Sequence, residues 1–300
     1  VISVQDPFEA GLVGYLLHLR YRVPLHVQEH GDFFGSTWWR RERLTNHIRY
    51  VFGKWLVRRA DSVRAASSRV ARHLVLLGVS PRAITTLAIT SDMTAFAKRD
   101  SMSDARALRA RYPSAEAIIL SVGRLVKEKN FAVLIRAFKK VSERHPTARL
   151  VIVGSGPEED ALVGLVKKSS LTTHVSFIPW TDAVALYMRS ADIFALASYR
   201  EGWGRVIIEA MSAGLPGVVT DVGCVGEVFW DRQQGIVVPV NNEVAMTNAL
   251  AQLIADPRLR HAYGEVAARD SATFLASQKS YAEAWLATLN GCAVRKRYLS

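Results

Sequence analysis

Short apolar runs alternate along the chain with stretches whose apolar residues recur at every third or fourth position. Residues 1–4 read as a buried strand and 8–20 as a helix. Residues 24–28 form a second strand candidate, followed by one long helix from about Trp39 to Arg59. A strand at 62–65, a helix ending at Leu77 and a strand at 84–89 close this first series. The segment 91–104 is polar and breaks the rhythm, which sets a domain boundary there. A clearer series follows. Residues 118–122 are a strand, and Asn130 is placed to cap a helix whose apolar face is Phe131, Leu134, Ile135, Phe138 and Val141. Strands are predicted at 150–153, 175–178, 193–196, 217–220 and 236–238, with helices from Glu243 and from about Arg258.

Repeated βα units predict parallel sheets covered by helices. The expected fold class is therefore α/β, with two Rossmann-like, doubly wound domains. The expected boundaries are 1–103 for a partial N-terminal domain and 104–270 for a C-terminal one. A terminal helix, 271–300, is expected to cross back to the N-terminal domain. In such sheets ligands sit at the carboxyl ends of strands, so the strand-to-helix loops are where function is sought.

Composition narrows this picture. The chain has 300 residues, 49% hydrophobic and 22% charged, which excludes intrinsic disorder. No apolar run approaches the roughly 18 residues of a membrane span. Two cysteines, Cys224 and Cys292, exclude a disulfide scaffold and suit a reducing compartment. The expected location is the cytoplasm, free or on the cytoplasmic face of a membrane. There is no Cys/His cluster at zinc spacing and no secretory leader pattern.

Two loops carry candidate chemistry. Ser121-Val122-Gly123-Arg124-Leu125-Val126-Lys127-Glu128-Lys129-Asn130 follows a strand and opens a helix. Arg124 and Lys129 flank a helix start that already favours anions, which suits a diphosphate. A solvated basic loop would have the same composition. The second loop is Glu201-Gly202-Trp203-Gly204-Arg205, continuing through Val206-Ile207-Ile208 to Glu209. Gly202 and Gly204 bare backbone amides at the next helix start. Glu209 falls among apolar neighbours, so if buried it needs a partner. The turn Val153-Gly154-Ser155-Gly156-Pro157 resembles a dinucleotide fingerprint, but Glu159 stands where the third glycine belongs and would repel a pyrophosphate. It reads as a structural turn.

Taken in order, these pieces resemble retaining glycosyltransferases of family 4, which have the GT-B fold. The resemblance runs from about Ala117 to Ala255. It rests on Gly123-Arg124-Leu125 with Lys129, Val153-Gly154-Ser155-Gly156-Pro157, Ala191-Asp192-Ile193, and Glu201 spaced eight residues from Glu209. Ala213-Gly214-Leu215-Pro216 and Gly223-Cys224-Val225-Gly226-Glu227 complete it. The resemblance implies that two domains face a cleft and that Arg124 and Lys129 bind the donor diphosphate. It implies that Glu209 holds the ribose hydroxyls and that the backbone near Ile178 edges the base. Glu201 and the amides around Gly202, Trp203, Gly204 and Arg205 would hold the sugar. It also makes His30, in Glu29-His30-Gly31-Asp32, the N-domain histidine at that sugar, with Asp32 as a candidate to orient it. His30 and Glu201 are the expected catalytic pair.

The implied substrates are a UDP- or GDP-linked sugar and a glycan or lipid-linked acceptor hydroxyl, with no cofactor and no metal. No Asp-x-Asp pair is present to hold a metal. A sugar-nucleotide epimerase of the same fold, or a non-catalytic nucleotide-sugar-binding fragment, are the alternatives. The fragment reading stems from the N-terminal half, which reads as incomplete: the strand and Gly-rich loop expected before residue 1 are missing, on the order of 80 residues at roughly 30 per βα unit.

Charge is uneven. The formal net charge is +12, and residues 40–82 hold eleven Lys or Arg against two acids. In the long helix, Leu44, Ile48, Val51, Phe52, Trp55 and Leu56 make one stripe within a basic surround. Such a helix can lie on an anionic membrane surface, or it can turn the stripe to the core and its bases to water. The basic tail Arg295-Lys296-Arg297 adds charge. No nucleic-acid motif accompanies it, so nucleic acid is not an expected partner.

Overall fold

The computed structural model describes residues 1–89, 92–97, 109–277 and 280–299, the last stretch without side chains from 294 onward. The chain forms two compact units. One comprises Val1–Thr90, Arg200–Trp203 and Ser277–Ser300; the other comprises Ser91–Tyr199 and Gly204–Ala276. The expected boundary at 103/104 and most of the polar segment before it lie outside the described residues.

In the first unit, β1 (Ile2–Val4), α1 (Glu9–Tyr21), β2 (Leu25–Glu29), α2 (Thr37–Glu42), α3 (Leu44–Val57), β3 (Ser62–Ala65), α4 (Ser68–Leu76) and β4 (Ile84–Thr86) follow in order. The four strands form one parallel sheet in the order β1-β2-β3-β4. The core joins Leu25, Val27 and Val63 of the strands to Leu56, Val57, Val70 and Leu74 of the helices.

The single long helix expected at 39–59 is two helices. Arg43 is extended between them, at φ −141° and ψ 145°. One side chain spans the break, Asn46 Nδ2 donating to Trp39 O at 2.8 Å, while Ser36 Oγ accepts from Trp39 N at 3.1 Å to start α2. The apolar stripe divides: Leu56 lies in the core and Phe52 packs against it, while the rest turns outward. Leu44, Ile48 and Val51 are 93%, 73% and 64% exposed, and the buried residues of α3 are Asn46, Gly53, Leu56 and Val57. Strand β4 ends at Thr86, short of the expected Ile89.

In the second unit, α5 (Thr94–Ala97) and β5 (Ile118–Val122) come first. There follow α6 (Phe131–Arg144), β6 (Arg149–Val153), α7 (Glu159–Lys168), β7 (Val175–Ile178), α8 (Val184–Ser190), β8 (Ile193–Leu196), α9 (Arg205–Ser212), β9 (Gly217–Thr220), β10 (Gly235–Val238), α10 (Glu243–Ala255) and α11 (Pro257–Ser277). The sheet is parallel in the order β10-β9-β8-β5-β6-β7. Its inner strands β5, β8 and β9 are buried along their whole length and mostly apolar, as a doubly covered parallel sheet requires. The face of α6 read from periodicity is the buried one: Phe131, Leu134, Ile135, Phe138 and Val141 all join the core. Asn130 does not cap α6 with its side chain. It sits in the left-handed region at φ 51°, and its amide turns to Asn241.

The last helix, α12 (Tyr281–Leu299), groups with the first unit, where Trp285 meets His26 edge-on at 5.2 Å. The expected start of the terminal helix, 271, falls inside α11. Among the described residues no helix is long and apolar enough to cross a membrane.

Candidate functional site

Strand order in the second sheet reverses beside β5, which has β8 on one side and β6 on the other. The carboxyl ends of β5 and β8 are therefore the switch point where open α/β sheets bind ligands. The two sequence-predicted loops leave from these ends. They are joined by a backbone hydrogen bond from Tyr199 N to Glu128 O at 2.9 Å. Arg124 is exposed, and Lys129 is half-buried with its stem over the strand end: a β-carbon on Gly123 would lie 3.7 Å from Lys129 Cε. Residues 127–129 form a tight turn of 3₁₀ type before α6 begins.

The glycine turn after β6 is the seat of this loop. A β-carbon on Gly154 would fall 1.9 Å from Gly123 O, so only glycine fits there. Leu125 N donates to Ser155 O and Glu158 N to Leu125 O, both at 3.0 Å. Ile178, at the end of β7, has its carbonyl occupied by Gly154 N at 2.9 Å. Asp192, from the Ala-Asp-Ile motif, works at the far end of the sheet. It accepts from Ile118 N at 2.7 Å and pairs with Arg109, pinning the start of β5.

Gly204, at φ 80°, is the N-cap of α9 and makes the turn that no β-carbon favours. Glu209 lies one turn along, buried, with Oε1 accepting from Arg205 Nε at 2.9 Å. Burial pushes its carboxyl above the usual range, and the Arg205 guanidinium partly offsets this. The partner that a buried Glu209 needed is thus Arg205, four residues earlier on the same helix. Gly214 ends the helix at φ 74°, with Leu215 N reaching back to Ala210 O.

Glu201, Gly202 and Trp203 belong to the first unit, as His30 does; Arg124, Lys129, Ile178, Gly204, Arg205 and Glu209 belong to the second. Gly202 is buried so closely that a β-carbon would meet His30 O at 1.6 Å. Arg200 donates to Gly31 O and lies over the Phe33 ring, 4.3 Å from its centroid.

His30 is held on both nitrogens. Arg64 Nη1 donates to Nδ1 at 3.0 Å, and Nε2 meets Gln5 Oε1 at 3.1 Å. Since Arg64 can only donate, Nδ1 accepts and the proton sits on Nε2. Burial, then the Arg64 charge, lower the His30 pKa, so the neutral ring is favoured. Asp32 does not orient His30, contrary to expectation. Its Oδ1 is taken by His73 Nδ1 at 2.7 Å and by Gly35 N at 3.2 Å.

Sequence reasoning passed over two residues that shape this loop. Arg64 is fully buried in β3, donating to Leu87 O at 3.0 and 2.6 Å and to Gln28 Oε1 at 3.4 Å. A lone arginine in a short strand was the available signal. Glu29 is fully buried, and its Oε1 accepts from Phe33 N at 2.7 Å. Burial raises its pKa to about 8, and its Oε2 has no hydrogen-bond partner among the described residues.

Comparison with known proteins agrees with this architecture. The D-inositol 3-phosphate glycosyltransferase of Nocardia farcinica is 31% identical over 84% of this chain and 58% of its own length. The N-acetylgalactosamine-N,N'-diacetylbacillosaminyl-diphospho-undecaprenol 4-alpha-N-acetylgalactosaminyltransferase of Campylobacter jejuni is 38% identical over 48% of this chain and 39% of its own. The chain thus spans about half the length of these relatives. Among solved structures, HepE of Anabaena in complex with UDP-glucose superposes with a TM-score of 0.79, at 20% identity, over 94% of this chain and 75% of that one; the likeness is one of fold. Residues 1–90 match the glycosyl transferase 4-like domain. Residues 106–270, which contain the switch point, both its loops and α9, match the glycosyl transferases group 1 family, and the chain belongs to that family.

Proposed function

We propose that the chain carries the catalytic machinery of a retaining glycosyltransferase. It moves a sugar from a UDP- or GDP-linked donor to a hydroxyl of a glycan or lipid-linked acceptor. The observation that carries this reading is the pair of loops tied together at the switch point of the six-stranded sheet, with a buried carboxylate on the helix that one of them opens.

In this reading Arg124 and Lys129 bind the diphosphate and balance the charge that builds on it as the sugar leaves, with no metal required. Fixed cations and amides placed where charge develops lower the barrier without reorganisation. Glu209 binds the ribose. Arg205 occupies its Oε1, and Oε2 is the oxygen that accepts the hydroxyls. Glu201 and the amides from Gly202 to Arg205 hold the sugar, and the chain near Ile178 edges the base. His30, neutral and with its proton on Nε2, donates to the sugar in place of Gln5. Acceptor deprotonation and retention of configuration follow the family resemblance.

Titration calorimetry with UDP and GDP tests the donor half, and nucleotide release with and without acceptor tests transfer. Release only with acceptor supports transfer. Epimer formation without release favours the epimerase, and binding with neither favours the non-catalytic reading.

A further inference from the structure

Strands β2 and β3 are buried on both faces, but one face is mostly apolar and the other polar. Leu25, Val27, Val63 and Ala65 turn to the core of the first unit. Alternation puts His26, Gln28, Ser62 and Arg64 on the opposite face, and all four are buried. In register, His26 stands beside Ser62 and Gln28 beside Arg64. Helix α12 covers this polar face with Tyr281, Trp285, Thr288 and Cys292, whose spacings of four, three and four share one helix side. Thr288 and Cys292 are buried, and Cys292 Sγ lies 3.9 Å from Leu25 O. The Arg64 guanidinium lies under two rings of the same helix, 5.7 Å from the Tyr281 centroid and 6.0 Å from that of Trp285.

Arg64 is thus a buried cation. Among the described residues its hydrogen bonds go to Leu87, Gln28 and His30, and to no carboxylate. A buried charge with neutral acceptors costs more than an apolar side chain of the same size would. Nε and Nη2 both go to Leu87 O, a tie to the chain just past β4. Nη1 is the nitrogen turned to His30 Nδ1, and Gln28, with its own Nε2 on Ser3 Oγ, steadies it from the side. The guanidinium fork is planar, so fixing two of its nitrogens aims the third. A donor on Nδ1 leaves the neutral ring one form, protonated on Nε2, and the nearby charge polarises that N–H into a stronger donor. Other charges stand close. Asp6 faces His30 and opposes the Arg64 charge. Glu29 accepts from Phe33 N, Asp32 is held by His73, and Arg200 donates to Gly31 O. Glu201 adjoins Gly202, which packs on His30 O. Of these groups, Arg64 is the one hydrogen-bonded to the ring.

We propose that Arg64, clamped between the sheet and α12, is the positioning residue of His30: it presents the Nε2–H of the ring, so the terminal helix acts on the site through Tyr281, Trp285 and Arg64. The inference deepens the reading of His30 as a donor to the sugar and rests on it. The test is nitrogen NMR of the histidine-labelled chain across pH, beside turnover and UDP calorimetry, with His30→Ala identifying the signal. In the parent, His30 should show an unprotonated Nδ1 and a pKa below the ordinary histidine value. Arg64→Met removes the charge but keeps a long side chain under α12, and Arg64→Lys keeps the charge. In Arg64→Met the His30 pKa should rise, and turnover should fall by up to about 10²-fold, as for a misplaced group, with UDP affinity unchanged. Arg64→Lys should hold the pKa low and recover part of the turnover. Tyr281→Leu, at a half-buried position, loosens the guanidinium without deleting it and should move both readings the same way by less. It carries the test if circular dichroism shows Arg64→Met unfolded. Arg64→Met combined with His30→Ala should be no slower than His30→Ala alone, because a group that acts through His30 then has nothing left to lose. A His30 pKa and Nδ1 signal unchanged in Arg64→Met overturn the proposal. So do losses that multiply in the double variant, which would leave Arg64 only its tie to Leu87. Full turnover by His30→Ala overturns the reading of His30 at the sugar and the proposal with it. A nitrogen titration that still shifts in Arg64→Met marks that failure apart, because it reads the contact of Arg64 with the ring without any transfer.

Discussion

Replacing Glu209 with Gln separates its two duties. Hydrogen bonds to a charged acceptor contribute about 1.5–3 kcal/mol each, and those between neutral groups about 0.5–1.5. With two ribose hydroxyls on Oε2, neutralising the carboxylate costs about 2 kcal/mol, or roughly thirtyfold in affinity for UDP or GDP. Stability should move the other way or not at all. Glu209 is held by Arg205, whose side chain is 54% exposed, and such an i,i+4 pair is worth at most about 0.5 kcal/mol. Burial raises the carboxyl's pKa in the folded state, so the folded chain binds this proton more readily than the unfolded one. That contribution is complete below the ordinary carboxylate range and is lost as pH rises through the folded value. At neutral pH the parent therefore bears the cost of a buried charge that Gln lacks. Calorimetry with UDP, uridine and pyrophosphate, beside thermal unfolding at pH 7, is the assay. UDP and uridine should weaken alike, pyrophosphate should bind unchanged, and the melting temperature should hold. Equal affinity of parent and variant for UDP and GDP would refute the ribose role. Loss of pyrophosphate binding as well would mean that the substitution had disturbed the loop.

Arg124→Ala or Lys129→Ala should weaken UDP binding at least tenfold while uridine binding changes little, as calorimetry would show. His30→Ala should lower turnover, by about 10²-fold if it stabilises developing charge, with UDP affinity nearly constant. Gly154→Ala should destabilise the second unit by about 1–3 kcal/mol or more in denaturant titration, because its β-carbon would meet Gly123 O. Glu29, whose pKa is raised from 4.5 to about 8, should give the chain stability that is complete below pH 4.5 and falls by up to about 1.4 kcal/mol per pH unit through pH 8. Glu29→Gln should flatten that slope in unfolding titrations across the range.

The elements most legible in the sequence are those whose physics is local. β5, β8 and β9 fall where their apolar runs stand, because a strand buried on both faces is mostly apolar, and the edge strand β7 matches its shorter run. The buried face of α6 follows from its period for the same reason. The α2–α3 break was not legible: Arg43 is an ordinary helix former, and the stop comes from Asn46 reaching back to Trp39 O, a bond that helix propensity does not encode. The site divides the same way. Arg124, Lys129 and Glu209 sit in contiguous motifs and could be placed from their spacing. The setting of His30 could not, because Gln5 and Arg64 reach it from 25 and 34 residues away through the parallel sheet. Asp32 was adjacent in sequence and chemically suited, but His73 holds it.

The α3 stripe shows how far periodicity alone can go. Leu44, Ile48, Val51 and Trp55 recur as a core face would, and the bases between them recur as a solvated face would. Period fixes which residues share a side; it does not fix which side faces the sheet. What decides that here is close packing from the opposite direction. Gly53 sits where a β-carbon would come 2.9 Å from the Phe8 ring, and Leu56 and Val57 are fully buried. The helix approaches the sheet through its small and late residues, and the larger apolar ones are turned out. On α1 the same choice is made by Gly11 and Gly14 against five leucines and valines that stay exposed. Two adjacent helices that seat glycine inward and leave leucine, isoleucine and tryptophan outward keep apolar area in water at about 25 cal/mol per Å². That cost is set by the glycine packing beneath, because the small residues that let each helix approach the sheet are the ones that turn its larger side chains outward.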